Sequence, residues 1–177
     1  MMTITQEMAP STGLTLPKAL TCQRILVPVD FTPASVSALK QAAWLAQREG
    51  SSLCLLHVVD WVSRSEDPNL FYTPEETGRQ AESRLAKLAR LFIPPEVPQR
   101  ILVHRGSPVR QILRTAALLQ SDLIILALHR RPFWHRWLAR GVAEQIAGRA
   151  SCHVLLLHTP EAGELDPVCW DDLVDVE

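Results

Sequence analysis

Residues 122–158 read DLIILALHRRPFWHRWLARGVAEQIAGRASCHVLLLH, and this stretch decides the fold. Asp122 to Leu128 is a short apolar run flanked by polar residues, the pattern of a strand covered on both faces. Cys152 to His158 repeats it. Between them Gly141 fits a helix N-cap with Glu144 three residues on, which predicts a helix from Val142 to about Arg149. Strand, helix and strand in such close succession form a parallel crossover unit. The remainder, 129–140, is a long loop after a strand's carboxyl end, where open α/β sheets hold anionic ligands. Glycines usually let the backbone approach a phosphate at such a place. After Ala127 and before Gly141 there is no glycine; this stretch carries four arginines, two histidines, Phe133, Trp134 and Trp137.

Working outward, the same alternation continues upstream. Arg24 to Asp30 is an apolar strand, and Thr32 can cap a helix with Pro33 in its first turn. Val36, Leu39, Ala43 and Ala46 make a helical stripe ending at Gly50. Leu53 to Val59 is a second strand. A polar loop over 60–73 precedes an amphipathic helix from Pro74 to Phe92 with Leu85, Leu88, Leu91 and Phe92 as its apolar face. Gln99 to His104 is a third strand, and Ser107 with Pro108 opens a helix running through Leu119. Five strands alternating with four helices predict a single-domain α/β fold, a five-stranded parallel sheet with helices on both faces. The domain is expected over 23–158, after a leader at 1–22.

The chain has 177 residues, 47% of them hydrophobic, and a formal net charge of −1. The charge is unevenly spread. Seven acids and no Lys or Arg lie between Glu161 and Glu177; setting those seven aside leaves 12 acids against 18 bases, an excess of six positive charges in the body. A tail over 159–177 is therefore acidic, and Asp166, Pro167, Val168, Trp170, Leu173 and Val174 could form a short helix with an apolar face. No apolar run has the length of a membrane span, and the first residues lack the layout of a signal peptide. The expected location is the cytoplasm. Cys22, Cys54, Cys152 and Cys169 show no CxxC spacing, and Cys54 and Cys152 read as small buried thiols.

RILVPVDFTPAS with Asp30, LLHVVD after the second strand, the Gly106-Ser107-Pro108 turn, and the succession DLIIL, loop, GVAEQI, CHVLLLH together resemble the universal stress protein family over roughly 24–158. The resemblance implies a Rossmann-like fold of the adenine nucleotide alpha hydrolase type with strand order 3-2-1-4-5. It also implies a crevice between strands one and four, and dimers built through the last strand. Many members bind ATP there with Gly-x-x-Gly, nine residues, then Gly-Ser/Thr; the matching positions are Ala127, Arg130, Arg140 and Gly141, so three glycines are absent. If those positions needed left-handed backbone or close approach, each side chain costs about 1–2 kcal/mol, and a combined loss near about 4 kcal/mol weakens a micromolar site roughly a thousandfold. Arginine offsets part of this through charged hydrogen bonds.

The nucleotide-site candidates are Pro28, Asp30, Val58, Leu126, Ala127, Arg130, Arg140, Gly141 and Val142. Asp30 either meets a ligand or caps the backbone of its own turn, as Asx residues do. The first functional reading is a non-catalytic, homodimeric stress-response protein that acts through an unidentified protein partner, without a cofactor and with nucleotide binding weak or absent. An alternative is an ATP or AMP switch, with Mg, in which Arg130 and Arg140 replace the glycine-lined loop. A second alternative is nucleic-acid or polyanion binding by the basic aromatic loop 129–140, which the acidic tail disfavours. No nucleophile with a base occurs in a local signature, so no enzyme is expected, and Ser35 and Ser37 read as solvent-facing helix residues. His57, His104 and His129 fall at strand ends beside Asp30, but alternate strands are too far apart for one zinc ion, so they read as ordinary hydrogen-bonded histidines. The last strand, with Cys152, His153, Val154, Leu155, Leu156 and Leu157, is an apolar sheet edge and the expected dimer interface.

Overall fold

The computed structural model of the chain describes residues 22–59, 74–128 and 141–158. The leader apart from Cys22, the 60–73 and 129–140 loops and the acidic tail lie outside the described residues. The elements run β1 (Arg24–Pro28), α1 (Pro33–Glu49), β2 (Ser52–Val59), α2 (Pro74–Phe92), β3 (Gln99–Arg105), α3 (Pro108–Leu118), β4 (Leu123–Leu128), α4 (Val142–Ala147) and β5 (His153–His158). All strand pairs are parallel, in the order β3-β2-β1-β4-β5. Among the described residues no helix is long and apolar enough to cross a membrane.

Successive strand residues leave opposite faces of a sheet, and the register sets odd positions beside odd ones, as in Ile25 beside Leu53 and Leu123. The core divides accordingly. Ile25, Val27, Leu53, Leu55, Leu123 and Ile125 pack with Val36 and Leu39 of α1 and with Leu85 and Leu88 of α2. Leu26, Cys54, Leu56, Ile124 and Leu126 pack with Val109 and Ile112 of α3 and with Ala143 and Ile146 of α4. The central strand is covered on both sides, and Leu26 and Val27 have no exposed surface.

Several boundaries differ from the expected ones, each for a local reason. β1 stops at Pro28, because Asp30 belongs to the turn into α1. Leu91 points outward from α2 and is 57% exposed, while Ala81 and Ala89 complete the buried face. Ser107 occupies the N-cap of α3 without a side-chain bond to the helix, leaving Pro108 as the initiating signal. α4 ends at Ala147, where Gly148, Arg149 and Ala150 fold their N–H groups back onto Glu144 and Ile146 carbonyls. Cys152 precedes β5 rather than opening it.

Two helix ends use left-handed residues. Gly50, at φ 65°, closes α1 by donating its N–H to Ala46 O. At α3, Gln120 N–H reaches Ala117 O and Ser121 N–H reaches Ala116 O, a Schellman closure whose left-handed position holds Gln120 at φ 50°. A side chain there costs about 1–2 kcal/mol. Gln120→Gly removes that strain, frees the unfolded chain by roughly 0.4–1 kcal/mol, and deletes the 3.5 Å contact from Arg24 Nη1 to Gln120 Oε1. The expected result in a thermal melt is a net gain below about 1 kcal/mol, a Tm rise of at most about 2–4 °C; a lower Tm would mean that the Arg24 contact outweighs the backbone strain.

Candidate functional site

β1 and β4 are hydrogen-bonded neighbours in register only at Ile25–Leu123 and Leu26–Ile124, whereas β1 and β2 stay in register over five positions. The reason is chemical. Alternate residues of a strand turn their N–H and C=O toward opposite neighbours. Val29 N–H bonds to Leu56 O on β2, at 2.8 Å, so even positions of β1 face β4, and the next one up is Pro28, which has no N–H to give. The ladder ends and the strands part. Their carboxyl ends enclose a cavity of about 250 Å³.

Seven of the expected site residues, Pro28, Asp30, Val58, Leu126, Ala127, Gly141 and Val142, line this one cavity. Arg130 and Arg140 fall outside the described residues, as does the remaining basic aromatic loop with His129. Sequence reasoning missed Val29, Ser35, Leu56, His57, Pro108, Ile112, Leu128 and Ala143, which complete the walls. Part of the signal was available: Pro108 and Ala143 lie in the first turns of helices whose starts the sequence marks, whereas Leu56 and Ile112 lie inside β2 and α3. The lining is chiefly aliphatic, with Asp30, Ser35 and His57 as its side-chain polar groups.

Those polar groups are engaged within the protein. Asp30 Oδ1 accepts from Thr32 N at 3.1 Å and from Thr32 Oγ1 at 2.6 Å, the local capping role open to it from sequence. Thr32 Oγ1 accepts in turn from Ser35 N, at 3.2 Å, and Ser35 Oγ donates to Thr32 O at 3.0 Å. Ser35 is therefore buried rather than solvent-facing as expected, because the first turn of α1 dips against the crevice. At the opposite wall Glu144 Oε2 accepts from Gly141 N–H at 3.1 Å, placing a carboxylate over the first turn of α4. Ala127 ends an ordinary strand and Gly141 has φ −58°. Ala127 does not adopt the left-handed backbone considered above, so there any penalty for a side chain comes from close approach alone, while Gly141 stands at the motif's Ser/Thr position, where a Cβ would meet nothing within 4 Å.

His57 and His104 lie on opposite faces of the sheet, since His57 sits beside Val103 and His104 beside Val58. His104 Nδ1 shares a 3.3 Å hydrogen bond with Thr115 Oγ1 on the α3 side. His57 Nδ1 lies 2.7 Å from Val29 O; a carbonyl only accepts, so the imidazole carries its hydrogen on Nδ1. Its ring stacks on Phe31 with centroids 4.5 Å apart, and the Arg84 guanidinium covers the same Phe31 ring at 4.1 Å. Among the described residues no three His, Cys, Asp or Glu converge as metal ligands.

Burial holds the His57 pKa below the usual histidine value, and the Arg84 charge acts in the same direction, against the Val29 hydrogen bond and the Asp30 charge. The unfolded chain protonates this imidazole below about pH 6.5, the folded chain only at lower pH. Its contribution to stability is therefore complete above about pH 6.5 and is lost as pH falls toward the folded-state value. Urea melts between pH 7 and pH 5 are expected to show that loss, and His57→Gln, which keeps an N–H donor and cannot titrate, is expected to show less of it; equal pH slopes in the two proteins would refute the assignment.

The comparisons with known proteins agree with this geometry. A universal stress protein of Mycolicibacterium smegmatis is 30% identical over 137 residues, which make up 75% of this chain and 45% of that protein, so the chain spans a little under half of that relative's length. The chain is similar to a solved universal stress protein in complex with cAMP, with TM-score 0.61, 18% identity, and coverage of 79% of this chain and 99% of that one. It is also similar to a universal stress protein from Archaeoglobus fulgidus in complex with dAMP, with TM-score 0.54, 17% identity, and coverage of 77% and 98%. At those identities the two structures speak for the fold. The description of the universal stress protein family matches residues 21–158, most of the sequence, and the chain belongs to that family.

Proposed function

We propose that the chain is a non-catalytic, dimeric stress-response protein that works in the cytoplasm through contacts with protein partners, and that its crevice holds adenine nucleotides weakly or not at all. The observation that carries the second half is Glu144 seated on Gly141 N–H. Where relatives with the glycine motif present amides to phosphate, a carboxylate already takes the donor and repels the anion. Two further features act in the same sense. The cavity of about 250 Å³ lies under the roughly 300–1,000 Å³ common for small-molecule sites. Asp30 Oδ1 is tied to Thr32. The non-catalytic reading draws support from Ser35 and His57, the nearest hydroxyl and imidazole, both bonded to backbone carbonyls instead of to each other.

A second reading has a specific observation behind it: two structures of similar fold hold cAMP and dAMP, and the apolar walls of this crevice are intact. In that reading ATP or AMP with Mg binds, and Arg130 and Arg140 supply the phosphate contacts. Titration calorimetry separates the two. The first reading expects no stoichiometric nucleotide released from freshly denatured protein and affinity for AMP near about 1 mM or weaker. It also expects Glu144→Ala to tighten binding about tenfold or more by clearing a donor and a charge. Micromolar binding by the unaltered protein, with Arg130→Gln and Arg140→Gln abolishing it, establishes the second.

The dimer rests on β5. Val154 and Leu156 pack against the α3/α4 cluster and Leu157 against the other, while Leu155 remains 41% exposed with His153 beside it on the face that α1 and α2 leave open. An edge strand with free amides and an exposed leucine pairs readily with its own copy. Sedimentation at micromolar concentration is expected to report a dimer, and Leu155→Lys a monomer with an unchanged far-ultraviolet spectrum; a monomeric unaltered protein excludes the proposal.

A further inference from the structure

A second pocket opens at the opposite end of the sheet, at the amino ends of β1, β2 and β3, with a volume of about 320 Å³. Its charged lining is Arg24 and Arg100; Ser52 and Ser121 add hydroxyls, and Cys54 and Leu119 contribute apolar surface. The register explains the convergence. Arg24 lies beside Ser52, and Cys54 beside Arg100, so these four even positions project from one face, the face of α3. Two strand spacings of about 4.8 Å and two residues of about 3.3 Å set the arginine Cα atoms roughly 12 Å apart, a distance two arginine side chains close over a shared ligand. α3 does not cover this end, because it stops at Leu118 and the chain turns through Gln120 into β4.

The arginines are not consumed in closing α3. The carbonyls of Thr115, Ala116 and Ala117 accept from Leu119, Ser121 and Gln120 N–H groups, so backbone donors serve these three carbonyls of the last turn. Arg24 is held in place by a 3.4 Å ion pair with Asp122 and by Gln120, which takes up part of its charge and fixes its direction. Arg100 is on the exposed rim and forms no ion pair among the described residues. Two arginines lining a cavity with apolar surface, with the Ser121 hydroxyl beside them, are a donor arrangement that receives an oxyanion; the Ser52 hydroxyl is spent on Gln23 O at 3.1 Å.

We propose that this pocket is a second ligand site, separate from the crevice, for a small amphipathic oxyanion whose carboxylate or phosphate lies between Arg24 and Arg100 and whose apolar body rests on Cys54 and Leu119. Cys54 takes part as surface: burial pushes its thiol up to about 11 even with Arg100 opposing, so it stays neutral and unreactive.

The test is an amide-resolved NMR titration of the full chain with phenyl phosphate, benzoate, inorganic phosphate and benzyl alcohol. Phenyl phosphate and benzoate are expected to move the amides of Ser52, Leu53 and Cys54 saturably below about 10 mM, whichever anionic group they carry. Inorganic phosphate is expected to bind more weakly and benzyl alcohol not at all. Arg100→Gln, a surface change that spares the fold, is expected to weaken binding about tenfold or more, and Arg149→Gln to leave it unchanged. The proposal is overturned if no saturable shift reaches these amides, if Arg100→Gln binds as before, or if benzyl alcohol binds as well as the anions.

Discussion

The short ladder between β1 and β4 is the constraint on which the rest of the structure depends. Asp122 fastens its lower end: the carboxylate accepts from Gln23 N at 3.1 Å and Arg24 N at 2.9 Å, and Asp122 N–H returns a bond to Arg24 O. Two in-register pairs later, Pro28 withholds the next donor. Below that point the strands are a rigid seam; above it they are free to diverge. The seam is also where the chain changes direction across the sheet, β2 and β3 lying to one side of β1 and β4 and β5 to the other, so the crossover helices leave the opening uncovered. The crevice thus joins a reversal of strand order to one proline that ends a hydrogen-bond ladder, and the residues around it take their positions from that break.

A crevice made this way still needs its polar groups satisfied, and here they satisfy one another. Asp30, Thr32 and Ser35 form one connected set, His57 and Val29 another, Glu144 and Gly141 a third. The first and third are short-range arrangements that stabilise a turn or a helix start, and the second ties β2 to the end of β1. Satisfied networks of this kind rigidify a site, and they also set a threshold for binding, because a ligand's polar atoms must displace bonds already made.

Most of the architecture was legible because its signals are local. The number of strands and helices follows from apolar runs separated by Thr32-Pro33, Gly50, Ser107-Pro108 and Gly141, and seven crevice residues could be placed because the resemblance to the universal stress protein family implies a crevice between strands one and four. What escaped has a common cause. The burial of Ser35, the outward turn of Leu91 and the separation of His57 from His104 depend on which face of the sheet an element covers, and that is set by parity across strands distant in sequence. The cap at Ser107 was over-read because a serine before a proline has the right composition whether or not its hydroxyl finds the helix. The lower pocket was invisible for the same reason as the histidine separation: Arg24 and Arg100 become neighbours only once the register is known.

The turn after Pro28 shows how the opening is kept clear. Phe31 has φ 63°, a left-handed conformation that costs a bulky residue about 1–2 kcal/mol. Its ring packs with the α1/α2 cluster between the His57 imidazole and the Arg84 guanidinium. Contacts of those two kinds contribute about 0.5–1.5 and about 0.5–2 kcal/mol, enough to offset the strain. In an ordinary extended conformation the chain would carry Phe31 along the strand direction, and the ring would lose this stack. The strained backbone instead sends the ring to the α2 side and leaves Asp30 to close on Thr32. The turn beside the crevice is therefore held by aromatic and cationic contacts on the face of the sheet that carries α1 and α2.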